Sequence, residues 1–245
     1  VKGVLIFTGA GLSADSGLPT FRTDGGLWEG HRVEDVCTPM AFQKDPQLVW
    51  KFYRDRYLSY SGAKPNAGHV AIAQIEQRCE AEGVPFLLAT QNVDGLHAAA
   101  GSKKLVELHG NIAKFQCFGI NFDTCDYTTE ENLWVNESVP VCPKCRSENL
   151  RPSITWFFEN LSPAALMEAI GFSKDADVVV SVGTSLNVFP AADLVIGPLN
   201  RGAQVVEVNL KPYLSGCGDV GKNYIFAKGR AADVLPEIVK HIGAV

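Results

Sequence analysis

The chain has 245 residues, of which 46% are hydrophobic and 20% charged. It is long enough to bury a sizeable core, which excludes a disordered tail, a collagen-like chain and a small disulfide-stapled scaffold. Lys plus Arg number 22 against 27 Asp plus Glu, a formal charge of -5 that argues against broad binding to a nucleic-acid backbone.

In chain order, Gly3 to Thr8 (GVLIFT) reads as a buried strand. It runs into the glycine-rich turn Gly9-Ala10-Gly11-Leu12-Ser13 and a short helix. Residues 24–31 read as loop. Asp45 reads as an N-cap with Pro46 at the first helical position, opening a helix to about Ser61. Leu48, Val49, Phe52, Tyr53 and Leu58 fall near one stripe of it. Asn66 to about Glu82 is a second helix, with Val70, Ala73 and Ile75 inside it. Pro85 to Thr90 is a buried strand followed by the polar turn Gln91-Asn92-Val93-Asp94-Gly95. Leu105 to Leu108 is a short strand ending at His109-Gly110.

Residues 113–151 break this rhythm. They are rich in Cys, Asn, Asp and Glu and poor in long apolar runs, and read as an inserted module. The alternation then resumes: helix Leu161 to Phe172, strand Asp177 to Val182, turn Gly183-Thr184-Ser185, a helix near Ala191, strand Gln204 to Asn209, strand Tyr224 to Ala227 and helix Ala231 to His241. Near-continuous apolar strands alternating with helices imply an α/β fold, a Rossmann-like parallel sheet with helices on both faces. In such sheets the ligand sits beyond the carboxyl ends of the strands, where the polar turns of this chain collect.

Those turns carry the candidate chemistry. Gly9-x-Gly11 offers backbone N–H groups suited to a phosphate, or is a tight strand-to-helix turn. Gly183-Thr184-Ser185 is a second such turn. His109 on the ligand edge is a general base near neutral pH or a structural imidazole. His97, in a helical context, packs or caps. Cys117, Cys125, Cys142 and Cys145 offer four thiolates for a closed, structural zinc site, or are ordinary cysteines in a loop-rich insertion. Tyr53 and Arg56 share a helix face and form either a carboxylate receptor or part of a solvated charged stretch. No apolar run approaches the ~20 residues of a membrane span. The chain opens on Val1 rather than Met and leads straight into a strand, so an upstream segment is expected.

Taken together, these motifs resemble the sirtuins, the NAD-dependent protein lysine deacylases. The resemblance rests on Gly9-Ala10-Gly11-Leu12-Ser13 through Gly17-Leu18-Pro19-Thr20-Phe21-Arg22, Pro65-Asn66 with His69, Gln91-Asn92-Val93-Asp94-Gly95-Leu96-His97, Leu108-His109-Gly110, Gly183-Thr184-Ser185 and Val208-Asn209. It covers nearly the whole chain. It implies an NAD-binding domain at 1–28, 85–112 and 152–245, with a small domain made of a helical module at 29–84 and a zinc module at 113–151.

The resemblance further implies that Gly9, Ala10, Gly11, Ser13, Phe21 and Arg22 form the NAD loop. Asn92 and Asp94 form the nicotinamide pocket, Gln91 meets the nicotinamide ribose, and Gly183, Thr184, Ser185, Asn209 and Ala231 hold the adenosine half. His109 is the catalytic base. The products are free lysine, nicotinamide and O-acyl-ADP-ribose. The implied partners are acyl-lysine proteins, with no nucleic acid, no membrane and a monomeric state, in the mitochondrion or cytoplasm. Thr20 and the Tyr53-x-x-Arg56 pair resemble the subclass that removes malonyl, succinyl and glutaryl groups. An ordinary deacetylase, an ADP-ribosyltransferase and a weakly active NAD-binding module are the other readings of the same scaffold.

Three positions depart from the family pattern. Cys37 stands where the subclass has Ala. The Cys117–Cys125 spacing is longer than usual. Trp156-Phe157-Phe158-Glu159 replaces Trp-Phe-Gly-Glu. The family Gly lets the substrate backbone lie close. Phe158 in its place hinders that approach, changes peptide preference or points into solvent.

Overall fold

Six strands form one fully parallel sheet in this computed structural model, which describes residues 1–20, 27–28, 31–119, 125–217 and 221–241. In chain order the strands of the molecule are β1 (Val4–Thr8), β2 (Leu27–Trp28), β3 (His31–Arg32), β4 (Phe86–Thr90), β5 (Leu105–Glu107), β6 (Gly110–Cys117), β7 (Thr128–Thr129), β8 (Leu150–Ile154), β9 (Val178–Val182), β10 (Gln204–Asn209) and β11 (Tyr224–Lys228). The parallel sheet has the order β11-β10-β9-β1-β4-β5. Ile6 at its centre is in register with Leu88 on one side and Val180 on the other. The order reverses at β1, so the crevice beyond β1 and β9 is the topological switch point.

The helices are α1 (Ala10–Ser13), α2 (Val33–Val36), α3 (Pro39–Lys44), α4 (Pro46–Tyr60), α5 (Ala67–Ala81), α6 (Leu96–Ala99), α7 (Pro163–Asp175), α8 (Asp193–Asn200) and α9 (Ala231–His241). Period-two alternation divides the strand residues between two layers. Leu5, Phe7, Val179 and Val205 pack with Ala169 of α7 and Leu194 of α8. Ile6, Leu88, Val180 and Val208 pack with Ile72 of α5 and Leu235 of α9. The sheet is thus covered on both faces, as the sequence implied. The helix α5 packs on the parallel sheet beside α9.

Local signals set several boundaries. Asp45 caps α4 by accepting from Leu48 N at 3.0 Å, with Pro46 at the first position. Asn66 and His69 form a reciprocal capping box at the start of α5. Along α4, Val49, Phe52 and Tyr53 are buried, but Leu48 and Leu58 of the expected stripe are exposed, as is Val70 on α5. Trp50 and Arg56 take the buried positions instead, because α4 packs on a second sheet rather than on one broad surface.

That second sheet has the antiparallel order β7-β6-β8 and runs from Gly110 to Ile154, beyond both ends of the irregular 113–151 stretch. Its core joins Phe42 of α3 and Trp50 and Tyr53 of α4 to Ile112, Phe115, Trp134 and Trp156. Trp50 and Trp134 lie 4.7 Å apart between ring centroids. The four cysteines extend this core with Leu150.

Candidate functional site

The sequence-identified turns converge on the carboxyl edge of the parallel sheet. Gly9 N donates to Val182 O at 3.0 Å, Gly11 N to Gly183 O at 2.8 Å, and Gly183 N to Val208 O at 3.0 Å. The turns after β1 and β9 are therefore pressed together. A Cβ on Gly11 would stand 2.8 Å from Gly183 Cα, and Gly183 has φ 59 with Leu12 N in the place of any Cβ. Only glycine permits this approach. The result is a backbone cradle without side chains, suited to a pyrophosphate.

A polar network backs the cradle. Asn92 Nδ2 donates to Gly9 O and to Ser13 Oγ, each at 3.1 Å. Ser13 Oγ donates to Asp94 Oδ2 at 2.7 Å, while Asp94 Oδ1 accepts from Leu96 N at 2.9 Å. Gln91 Nε2 donates to Thr184 Oγ1 at 2.9 Å, and Asn209 Nδ2 donates to Thr184 O at 2.8 Å. Gln91, Thr184 and Asn209 thus tie three strand ends together. Ser185 is half-buried beside them, and Ala231 is buried at the first turn of α9, against Gly68. Phe21 and Arg22 lie outside the described residues.

Below the network lie two buried histidines whose rings are 5.0 Å apart. His69 Nδ1 accepts from Asn66 N, which leaves Nε2–H pointing at Ser13 Oγ, 3.4 Å away. Burial pushes this ring down to about 4 against the opposing pull of Asp94. His97 Nε2 is 2.9 Å from Thr8 Oγ1, whose own proton goes to Thr90 Oγ1. Burial holds His97 down to about 3, so both rings are neutral at pH 7. His97 is a packing residue.

His109 is different. It is half-buried at the end of β5, and Nδ1 lies 3.1 Å from Gln91 O. A carbonyl only accepts, so Nδ1 carries the proton and Nε2 keeps its lone pair. Burial lowers its pKa, partly offset by that bond. The site therefore holds a neutral imidazole with a free accepting nitrogen, which is what a general base requires. Gly110, φ 79, turns the chain sharply behind it, where Ser153 O fills the space of any Cβ.

Tyr53 and Arg56 are both buried on α4, Arg56 to 9% exposure. Tyr53 stacks on Trp156 at 6.2 Å, and the Arg56 guanidinium lies 4.8 Å from the Tyr60 ring. Arg56 is near enough to draw down both the Tyr53 hydroxyl and the Cys37 thiol, although burial still leaves both raised. Arg56 is thus not part of a solvated face, and a positive charge stands inside an aromatic pocket.

The sulfurs of Cys117, Cys125, Cys142 and Cys145 lie within 4.8 Å of one another, with Cys117 to Cys145 at 3.4 Å and Cys125 to Cys142 at 4.0 Å. Four thiolates around a tetrahedral zinc stand about 3.8 Å apart for Zn–S bonds of about 2.3 Å. The donor set fits zinc and leaves no open position, so the ion's role is structural.

Sequence reasoning missed Arg151. It is fully buried on β8, pairs with Glu159 through Nη1–Oε1 at 2.6 Å and Nη2–Oε2 at 2.8 Å, and lies 3.4 Å from the Trp156 ring centroid. An Arg-Pro pair in an irregular stretch carries no local sign of burial; Glu159 eight residues on was its only signal.

With this geometry in place, the likenesses to known proteins are specific. The model of the Sir2 family matches residues 9–190. An NAD-dependent protein deacylase of Thermococcus sibiricus is 42% identical over 243 residues, covering 96% of this chain and 90% of its own. The crystal structure of a Sir2 homologue in complex with NAD superposes with a TM-score of 0.84 at 38% identity, over 98% of this chain and 89% of the other. A Sir2 structure holding a p53 peptide and NAD+ gives a TM-score of 0.79 at 31% identity, over 100% and 95% of the two chains. In sequence and in architecture, this chain belongs to the Sir2 family, the sirtuins.

Proposed function

We propose that the chain is an NAD-dependent protein-lysine deacylase that prefers acyl groups bearing a carboxylate, malonyl and succinyl above acetyl. The observation that carries the deacylase reading is His109, a neutral imidazole with an unprotonated Nε2, beside the glycine cradle. NAD, when bound, supplies the ADP-ribosyl group that accepts the acyl chain as nicotinamide departs.

The residues of this chain divide the work. Gly9, Ala10, Gly11 and Gly183 form the wall along which the phosphates lie with no bulky side chain in the way, the N–H groups of Gly9, Gly11 and Gly183 being used to hold the two turns together. Asn92 and Asp94 are set to hold the nicotinamide amide, and Gln91 the adjoining ribose. Ser185, Asn209 and Ala231 receive the adenosine half, and Phe21 and Arg22 are the further NAD contacts that the resemblance assigns. His109 Nε2 takes a ribose hydroxyl proton, and the neutral ring is ready at pH 7 because burial disfavours its charged form. Tyr53 and Arg56 hold the acyl carboxylate. An anion entering this pocket meets the buried Arg56 charge, whereas acetyl offers it nothing. Zinc on the four cysteines fastens the small sheet.

The substrates are acyl-lysines on proteins, consistent with the peptide held by the Sir2 structure above. Archaeal and bacterial relatives favour a cytoplasmic setting over a mitochondrial one. No helix among the described residues is long and apolar enough to cross a membrane.

The test is incubation with NAD and matched acetyl-, malonyl- and succinyl-lysine peptides, with products followed by mass spectrometry. Faster loss of the charged acyl groups with O-acyl-ADP-ribose formed is the expected result. An acetyl preference keeps the deacylase but overturns the role of Arg56. Transfer of ADP-ribose to protein identifies a transferase, and no turnover with any peptide leaves an NAD-binding module.

A further inference from the structure

Beyond β8, Thr155 N donates to His109 O at 2.9 Å, so the chain passes beside the candidate base as it enters a four-residue turn. Glu159 N donates to Trp156 O at 3.1 Å and closes that turn. Phe158 occupies its third position with φ 69. A turn with positive φ there takes Gly or Asn, because a Cβ crowds the backbone, and a bulky aromatic is an outlier. The side chain gains no burial in exchange, since Phe158 is 82% exposed.

The frame beneath this ring is rigid. The Glu159 carboxylate takes both Arg151 nitrogens and also Trp156 N at 2.7 Å. Phe157 N donates to Cys37 O at 3.0 Å, and Trp156 stacks on Tyr53. The surroundings thus hold a strained, exposed aromatic on the turn that directly follows the Thr155 bond to His109 and the Trp156 stack on Tyr53. Strain that folding does not use points to function.

We propose that Phe158 is a specificity-determining residue that reads a large apolar side chain adjacent to the acylated lysine. This rests on the deacylase reading, because a peptide whose lysine reaches His109 and Tyr53 passes the Phe158 turn. There the ring, otherwise left in water, gains apolar contact with the residue flanking the lysine.

The test measures binding of succinyl-lysine peptides by calorimetry without NAD, using peptides that differ only in Leu, Ala or Arg beside the lysine. The natural chain is expected to bind the Leu peptide on the order of tenfold tighter than the Ala peptide, the scale of about two methylene groups removed from water. Phe158→Gly and Phe158→Asn, which both suit the left-handed backbone, bring that ratio to near one, and Phe158→Tyr keeps it. The Phe158→Gly chain also melts higher by about 2–4 °C, which separates a lost contact from a damaged fold. A Leu-to-Ala ratio unchanged by Phe158→Gly overturns the proposal, as does preference for the Arg peptide. Turnover with NAD is measured separately. A chain that shows the Phe158-dependent ratio yet transfers no acyl group overturns the deacylase reading alone.

Discussion

The imidazole of His109 donates from Nδ1 to the backbone carbonyl of Gln91 at 3.1 Å, a residue on the neighbouring strand end. This bond fixes the tautomer, and with it the nitrogen left to take a proton. It also ties the candidate base to the turn proposed to hold the nicotinamide ribose, so base and ribose share one rigid edge.

His109→Ala should therefore lower acyl transfer by about 10²–10⁴-fold while leaving peptide binding within a few-fold of the natural chain. The fall belongs in kcat. Equal activity of the two proteins in single-turnover assays removes His109 from the mechanism.

Arg56→Met is expected to lower kcat/KM for succinyl-lysine by about 10²-fold or more, with little loss for acetyl-lysine. Tyr53→Phe should act in the same direction more weakly, because it removes a hydroxyl and not the charge. Parallel assays on the two peptides decide the matter, and equal losses would show that Arg56 acts through the fold.

The glycine cradle makes a steric prediction. Gly11→Ala puts a methyl 2.8 Å from Gly183 Cα, so the two turns must separate. NAD binding should weaken at least about tenfold and stability fall by roughly 2–4 kcal/mol. Gly62→Ala is the control, since nothing lies within 4 Å of its added Cβ. Titration calorimetry and thermal melts of both variants test this, and an NAD affinity untouched by Gly11→Ala rules out the cradle.

Zinc removal should act on one region first. Chelation, or Cys142→Ser, is expected to loosen the small sheet and lower the melting temperature by about 10 °C or more. Trp134, buried against Trp50 and Phe115, reports it by fluorescence. An unchanged emission spectrum after the metal is stripped would mean that the sheet stands without zinc.

The buried pair His69 and His97 makes stability depend on pH. Both folded values, about 4 and about 3, lie below the ordinary 6.5, so below pH 6.5 the unfolded chain binds more protons. Their contribution is fully present above pH 6.5 and declines as the pH falls towards 4. At pH 5 the loss is on the order of a few kcal/mol, or about 5–15 °C in melting temperature. His97→Gln should flatten that slope. Identical slopes for the two proteins between pH 7.5 and 5 would refute the assignment.

Much of the main sheet was legible because a strand buried on both faces must be apolar at every position, as Leu5, Ile6 and Phe7 are. Caps were legible because Asp45 and Pro46 act within a single turn of helix. The small sheet was not. Its β6 mixes exposed Ala113 and Lys114 with buried Phe115, and β8 carries a buried Arg151 followed by Pro152. Neither shows a two-residue period. Arg151 is stable there only because Glu159 and the Trp156 face neutralise and cover it, partners that local sequence cannot supply.

The α/β class, the glycine turns, the four clustered cysteines and the polar residues that end each strand are all legible in the sequence. These depend on backbone sterics and on neighbours within a few residues. That β1 lies between β4 and β9, that Gly11 abuts Gly183, that His109 is a neutral imidazole with an accepting Nε2, that Arg56 is buried and that Phe158 is held exposed at positive φ emerge only in three dimensions. Each of these depends on contacts between residues far apart in the chain, where packing and desolvation override what any local pattern can specify.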